Sequence, residues 1–143
     1  TLPIGHSKAM TLFVDTYALI AWLNPKDTAH AKVRAYLGEY RGELLTTEWV
    51  LMEVADALSA PHARQEAIEF LQAVREDPSY TIIGYDFSVY QAGFGVYSTR
   101  LDKSWSLTDC ISFAVMGARQ LTGALTADHH FRQAGYVALF EDQ

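Results

Sequence analysis

The chain has 143 residues, half of them apolar and a fifth charged, which fits one globular domain able to bury a core without staples. Its formal charge of −6 excludes broad electrostatic capture of nucleic acid, though not an enzyme whose acids gather around metal ions. The single cysteine, Cys110, excludes an internal disulfide and a cysteine-based zinc site, and its apolar surroundings read as a small buried side chain.

In chain order, Thr11–Val14 reads as a short buried strand that stops on Asp15. Thr16–Leu23 follows with helical character and is ended by Asn24–Pro25. A second helix is expected from Asp27, with Val33, Tyr36, Leu37 and Tyr40 at helical spacing and Gly42 just past its end. Leu44–Thr46 is a shorter strand, and Thr47 resembles the N-cap of a helix carrying Val50, Val54 and Leu58. His62–Glu76 is an amphipathic helix, and Tyr80–Tyr85 is strand-like around Ile82 and Ile83. After Asp86, the residues Phe87, Tyr90, Phe94, Tyr97 and Leu101 keep helical spacing, weakened locally by Gly93 and Gly95. Ser106 opens a helix with Leu107, Ile111, Ala114, Val115 and Ala118 on one side. Gly123–Leu125 and Tyr136–Leu139 are the remaining strands.

Short apolar strands alternating with helices predict an α/β fold with a mostly parallel sheet. No repeat, low-complexity tract or linker divides it, so residues 10–143 are expected to form one domain. Residues 1–9 read as a short native extension or as residues added in cloning. The apolar run Ala18–Leu23 falls far short of the ~20 residues of a membrane span. The N-terminus lacks the basic-then-apolar pattern of a secretory signal, so a cytoplasmic protein without a membrane partner is expected.

Four acids stand out by their place in this order. Sites in open parallel sheets lie at the carboxyl ends of the strands, where Asp15 and Asp128 fall. Glu53 lies in the second turn of the helix after the second strand, and Asp109 in the first turn after Ser106. Each has a structural reading: Asp15 and Asp128 as N-caps, Ser106 with Asp109 as a capping box, Glu53 as a solvated helix residue. The neighbours of Glu53 and Asp109 are mostly apolar, however, and an isolated carboxylate there is costly unless paired or metal-bound. Carboxylates brought together raise one another's pKa unless a cation neutralises them. Hard oxygen ligands without cysteine favour Mg²⁺ or Mn²⁺, and such ions serve phosphodiester hydrolysis.

The segments LFVDTYALIAWL, TEWVLMEVADAL, SLTDCISFAVM and ALTADHHF occur in the order and rough spacing of PIN-domain nucleases, from Thr11 to about Phe140. The chain resembles in particular the VapC-type toxins of bacterial and archaeal toxin–antitoxin systems. This resemblance implies a three-layer α/β/α fold, with the family's acidic quartet falling on Asp15, Glu53, Asp109 and Asp128. It marks Asp15 and Asp109 as principal Mg²⁺ (or Mn²⁺) ligands. Thr126 matches a hydroxyl before the last acid, and Thr47 one that helps fix the first; both also suit capping. It further implies an RNA substrate, an endoribonuclease activity, control by a cognate antitoxin protein, and a homodimer.

His129 and His130 adjoin Asp128, but adjacent helical residues point about 100° apart, so a surface or packing role is expected for both. Arg100, Lys103, Arg119 and Arg132 flank the acidic motifs, either as solvated charges or as partners for RNA phosphates. Trp105 and Tyr17 are expected in the core rather than stacked on a base. A phosphoacceptor domain would need a lysine beyond a late strand, and the last one is Lys103. A haloacid-dehalogenase-type phosphatase would need Asp-x-Asp after the first strand, where Asp15–Thr16–Tyr17 stands. The alternative is a catalytically silent PIN scaffold that binds protein or RNA.

Overall fold

A computed structural model describes residues 10–142; the reading of residues 1–9 lies outside them. In chain order the elements are β1 (Leu12–Val14), α1 (Thr16–Leu23), α2 (His30–Glu39), β2 (Leu44–Thr47), α3 (Glu48–Ala57), α4 (Pro61–Glu76), β3 (Tyr80–Ile83), α5 (Phe87–Thr99), α6 (Leu107–Ala118), β4 (Gly123–Leu125), α7 (His129–Gln133) and β5 (Val137–Ala138). The strands form one sheet in the order β3-β2-β1-β4-β5, and every neighbouring pair is parallel.

The apolar runs noted in the sequence are the central strands. β1 and β4 are buried on both faces, as strands of a covered parallel sheet must be. From β1 to β3 the chain moves across the sheet in one direction, and from β3 to β5 it returns in the other. Right-handed crossovers then put the two sets of helices on opposite faces. The packing follows: α1 touches α2 and α3, α3 touches α4, while α5 packs on α6 and α6 on α7. The result is the expected three-layer α/β/α arrangement.

Several boundaries differ from the sequence reading, two of them for a local reason that side chains show. Asp27 opens a turn rather than a helix: its carboxylate accepts from the Ala29 amide, and α2 starts only at His30. β3 ends at Ile83, because Asp86 turns the chain and caps α5 by accepting from the Ser88 amide. β5 shortens to Val137–Ala138.

The spacing along α5 predicts a helix but not which side packs. The buried side is Gly93, where an added Cβ would stand 2.7 Å from the Ile111 Cα. The two helices therefore meet with almost no side chain between them. The aromatic row is turned outward, with Phe87, Phe94 and Tyr97 exposed and Leu101 exposed just beyond the helix. The rings of Phe87, Tyr90, Phe94 and Tyr97 lie in sequence with centroids 5.9, 6.0 and 6.3 Å apart.

Candidate active site

The point where the strand order reverses lies between β1 and β4, so the loops leaving these strands diverge and open a crevice. Asp15 is the first residue after β1, and Asp128 the third after β4. α3 brings Glu53 and the first turn of α6 brings Asp109 to the same edge. All four acids line one open cleft of about 470 Å³, together with Thr16, Tyr17, Ser104, Ser106, Ala127 and His130. Among the described residues, the cleft lining contains no lysine or arginine.

Asp15 occupies the N-cap position of α1, yet its side chain makes no capping hydrogen bond. It is 7% exposed, and burial pushes its carboxyl up to about 7, with smaller contributions from the charges of Asp109 and Glu53. The hydroxyl of Thr126 donates to its Oδ2 at 2.8 Å and offsets part of that rise. The same hydroxyl accepts from the Asp128 amide at 3.0 Å, so Thr126 ties the ends of β1 and β4 together. Its own burial is complete.

The other three acids are each held through one oxygen. Glu53 accepts from the Thr16 hydroxyl at 2.6 Å. Asp109 Oδ2 accepts from the Ser106 amide at 3.1 Å while Ser106 Oγ accepts from the Asp109 amide, a complete capping box. Asp128 Oδ1 accepts from the His130 amide at 2.9 Å and caps α7. Asp109 and Asp128 therefore cap their helices while lining the cleft. In each, the cap fixes one carboxylate oxygen in the cleft.

Thr47 caps α3 by accepting from the Val50 amide at 3.1 Å. The buried hydroxyl that reaches toward β1 from this strand is its neighbour Thr46, which donates to the Val14 carbonyl at 2.8 Å. Trp105 is buried, its ring packed edge-on to Phe113 and its indole nitrogen donating to Gln133 Oε1. Tyr17 is half-buried and packs near Phe140, but it also lines the cleft. The flanking cations are largely committed elsewhere: Arg100 and Lys103 to Asp102, and Arg132 to Glu141.

Sequence reasoning did not place Thr16, Ser104, Ala127 or His130 in the cleft. Thr16 follows Asp15 directly and reads as an ordinary first-turn residue; its bond to Glu53 spans 37 positions. His130 was expected at the surface or in packing, but its Nδ1 lies 3.0 Å from Asp109 Oδ2. The exposed His129 fits the surface expectation.

The donor set fits a hard divalent cation. Four carboxylates converge with no lysine or arginine among the described lining residues, and one is too buried to keep its charge easily. Burial without a counter-charge is what a bound metal ion would relieve.

The family model of the PIN domain matches residues 12–136. No curated protein matches the chain by sequence. Among solved structures, VapC20 of Mycobacterium tuberculosis, a sarcin–ricin-loop-cleaving toxin, superposes with a TM-score of 0.82 at 23% identity, over 90% of this chain and 98% of that one. A toxin–antitoxin complex from Klebsiella pneumoniae gives 0.64 at 17% identity over 92% and 99%. DNA-bound VapBC from Salmonella typhimurium gives 0.63 at 16% over 91% and 97%.

Proposed function

Because the chain belongs to the PIN-domain family, we propose that it is a Mg²⁺- or Mn²⁺-dependent endoribonuclease and the toxin of a toxin–antitoxin pair. The observation that carries this reading is Asp15: a buried carboxylate with no cationic side chain beside it, in a cleft shared with Glu53, Asp109 and Asp128. Similarity of fold to a sarcin–ricin-loop-cleaving toxin and to toxin–antitoxin complexes supports the substrate class and the partnership.

In this reading Asp15 and Asp109 are the principal metal ligands, and Glu53 and Asp128 complete the site directly or through water. When bound, the cation supplies a polarised phosphoryl oxygen and a water of lowered pKa. The chain's own residues set the geometry. Thr126 fixes Asp15 and places Asp128, Thr16 fixes Glu53, and the capping box fixes Asp109. Thr47 supports the site indirectly, by starting the helix that carries Glu53.

The inhibitor of so acidic a cleft is a cation, so a cognate antitoxin is proposed to seat an Arg or Lys side chain against the quartet. A homodimer is proposed through α5, and residues 10–143 are taken as one cytoplasmic PIN domain with RNA as substrate. No helix among the described residues is long and apolar enough to cross a membrane.

The test is cleavage of RNA by the purified chain after EDTA treatment and then with Mn²⁺ or Mg²⁺ restored. Cleavage is expected only with the ion. Cleavage that persists in EDTA overturns the metal mechanism. Folded protein that binds Mn²⁺ yet cuts no RNA, including ribosomal RNA, returns the chain to a silent binding scaffold.

A further inference from the structure

His130 enters the acidic cleft through contacts that the four-carboxylate reading does not use. Its Nδ1 lies 3.0 Å from Asp109 Oδ2 and 3.5 Å from Asp128 Oδ1, and its Nε2 lies 3.5 Å from Ser104 Oγ. Both acid oxygens are fixed by backbone amides, those of Ser106 and of His130 itself. Neighbouring ligands at about 2.1 Å around an octahedral ion stand about 3.0 Å apart. The imidazole nitrogen already has that separation from the Asp109 oxygen and stands 0.5 Å beyond it from the Asp128 oxygen. Asp128, His129 and His130 also offer ligand atoms within 4.8 Å of one another. Burial separates the two histidines: the His130 side chain is 18% exposed and that of His129 56%.

The geometry points to His130 Nδ1 as a direct nitrogen ligand of the cleft's divalent cation, beside Asp109 and Asp128, which shifts the site's preference toward transition ions over Mg²⁺. The inference rests on the metal-site reading above and adds to it a ligand of a different chemical class. Imidazole suits first-row transition ions, Mn²⁺ at the weak end of their affinity order, whereas Mg²⁺ holds to oxygen donors. Without the ion, Nδ1–H donates to Asp109. With it, the ring proton resides on Nε2, where the Ser104 hydroxyl accepts it, the outer hydrogen bond that ligating histidines usually make.

The test is pulsed electron paramagnetic resonance of Mn²⁺ bound to the full chain, with Mn²⁺ and Mg²⁺ affinities measured by calorimetry. The wild-type spectrum is expected to show the coupling of one directly bound imidazole nitrogen. His130→Gln should lose it, and His129→Gln should keep it. The ratio of Mn²⁺ to Mg²⁺ affinity should fall about tenfold in His130→Gln, the lower end of what disturbing a metal's ligand environment costs. Mn²⁺ bound without nitrogen coupling, or an unchanged ratio in His130→Gln, overturns the inference and leaves the carboxylate site standing. Failure of the folded wild-type chain to bind Mn²⁺ overturns both. Should His130→Gln fail to fold, the wild-type spectrum alone decides.

Discussion

Asp15 sits where a strand ends and a helix begins, but it does not serve the helix. Burial raises its carboxyl from 3.8 to about 7 in the metal-free protein. Between these values the folded chain keeps a proton that the unfolded chain has released, so metal-free stability falls as pH rises from about 4 to about 7. Asp15→Asn removes this dependence. The variant should be more stable than wild type at pH 7.5 without metal, by up to about 4 kcal/mol, one pKa unit being about 1.4 kcal/mol. Urea denaturation of both proteins at pH 5 and 7.5 in EDTA measures it; parallel pH profiles would show that Asp15 is not strained by its burial. Asp128 separates two roles that share one side chain. Asn caps a helix about as well as Asp, so Asp128→Asn should keep the bond to the His130 amide and the melting temperature. Cleavage should fall at limiting Mn²⁺, less than for Asp15 or Asp109. Wild-type activity in that variant would reduce Asp128 to a cap.

At the scale of elements, α5 presents the clearest unassigned surface. The helix carries no charged residue in a chain of net charge −6, and its aromatic row is exposed. Two copies of an acidic protein repel wherever their charges meet, and α5 offers the proposed dimer a face without charge. Phe94→Glu with Tyr97→Glu should therefore convert a dimer to a monomer by light scattering at micromolar concentration, leaving the helix in place because both rings are solvent-facing. A monomeric wild type, or a dimer indifferent to both charges, would move the interface elsewhere. The helix itself was legible from its spacing. The direction of its aromatic row was not, because Gly93 selects the packed side through contact with Ile111 on another helix. The acids were legible for a related reason: Asp15 and Asp128 end apolar strands, and parallel sheets gather such ends on one edge. His130 was not, since its partner Asp109 lies 21 positions away and the two meet only when α6 and α7 pack. Thr46 and Thr47 differ by one position, and only the register of β2 assigns one to the strand contact and the other to the cap.

The whole molecule is an acidic chain proposed to act on a polyanion. Its cleft gathers four carboxylates and, among the described residues, no lysine or arginine, while Arg100, Lys103 and Arg132 are paired with acids. An RNA backbone approaching that cleft meets repulsion unless a cation is present, which ties substrate binding and chemistry to the same metal ion. The topology supports the arrangement, since the reversal of strand order puts the buried acid of β1 beside the loop after β4. The most direct test compares wild-type and Asp15→Asn proteins, both shown to be folded, cutting the same RNA at saturating Mn²⁺. Wild type should cleave, and the variant should be slower by at least about a hundredfold, the scale on which losing one electrostatic stabiliser acts. Equal cleavage by the two proteins would contradict the acidic quartet as the catalytic site.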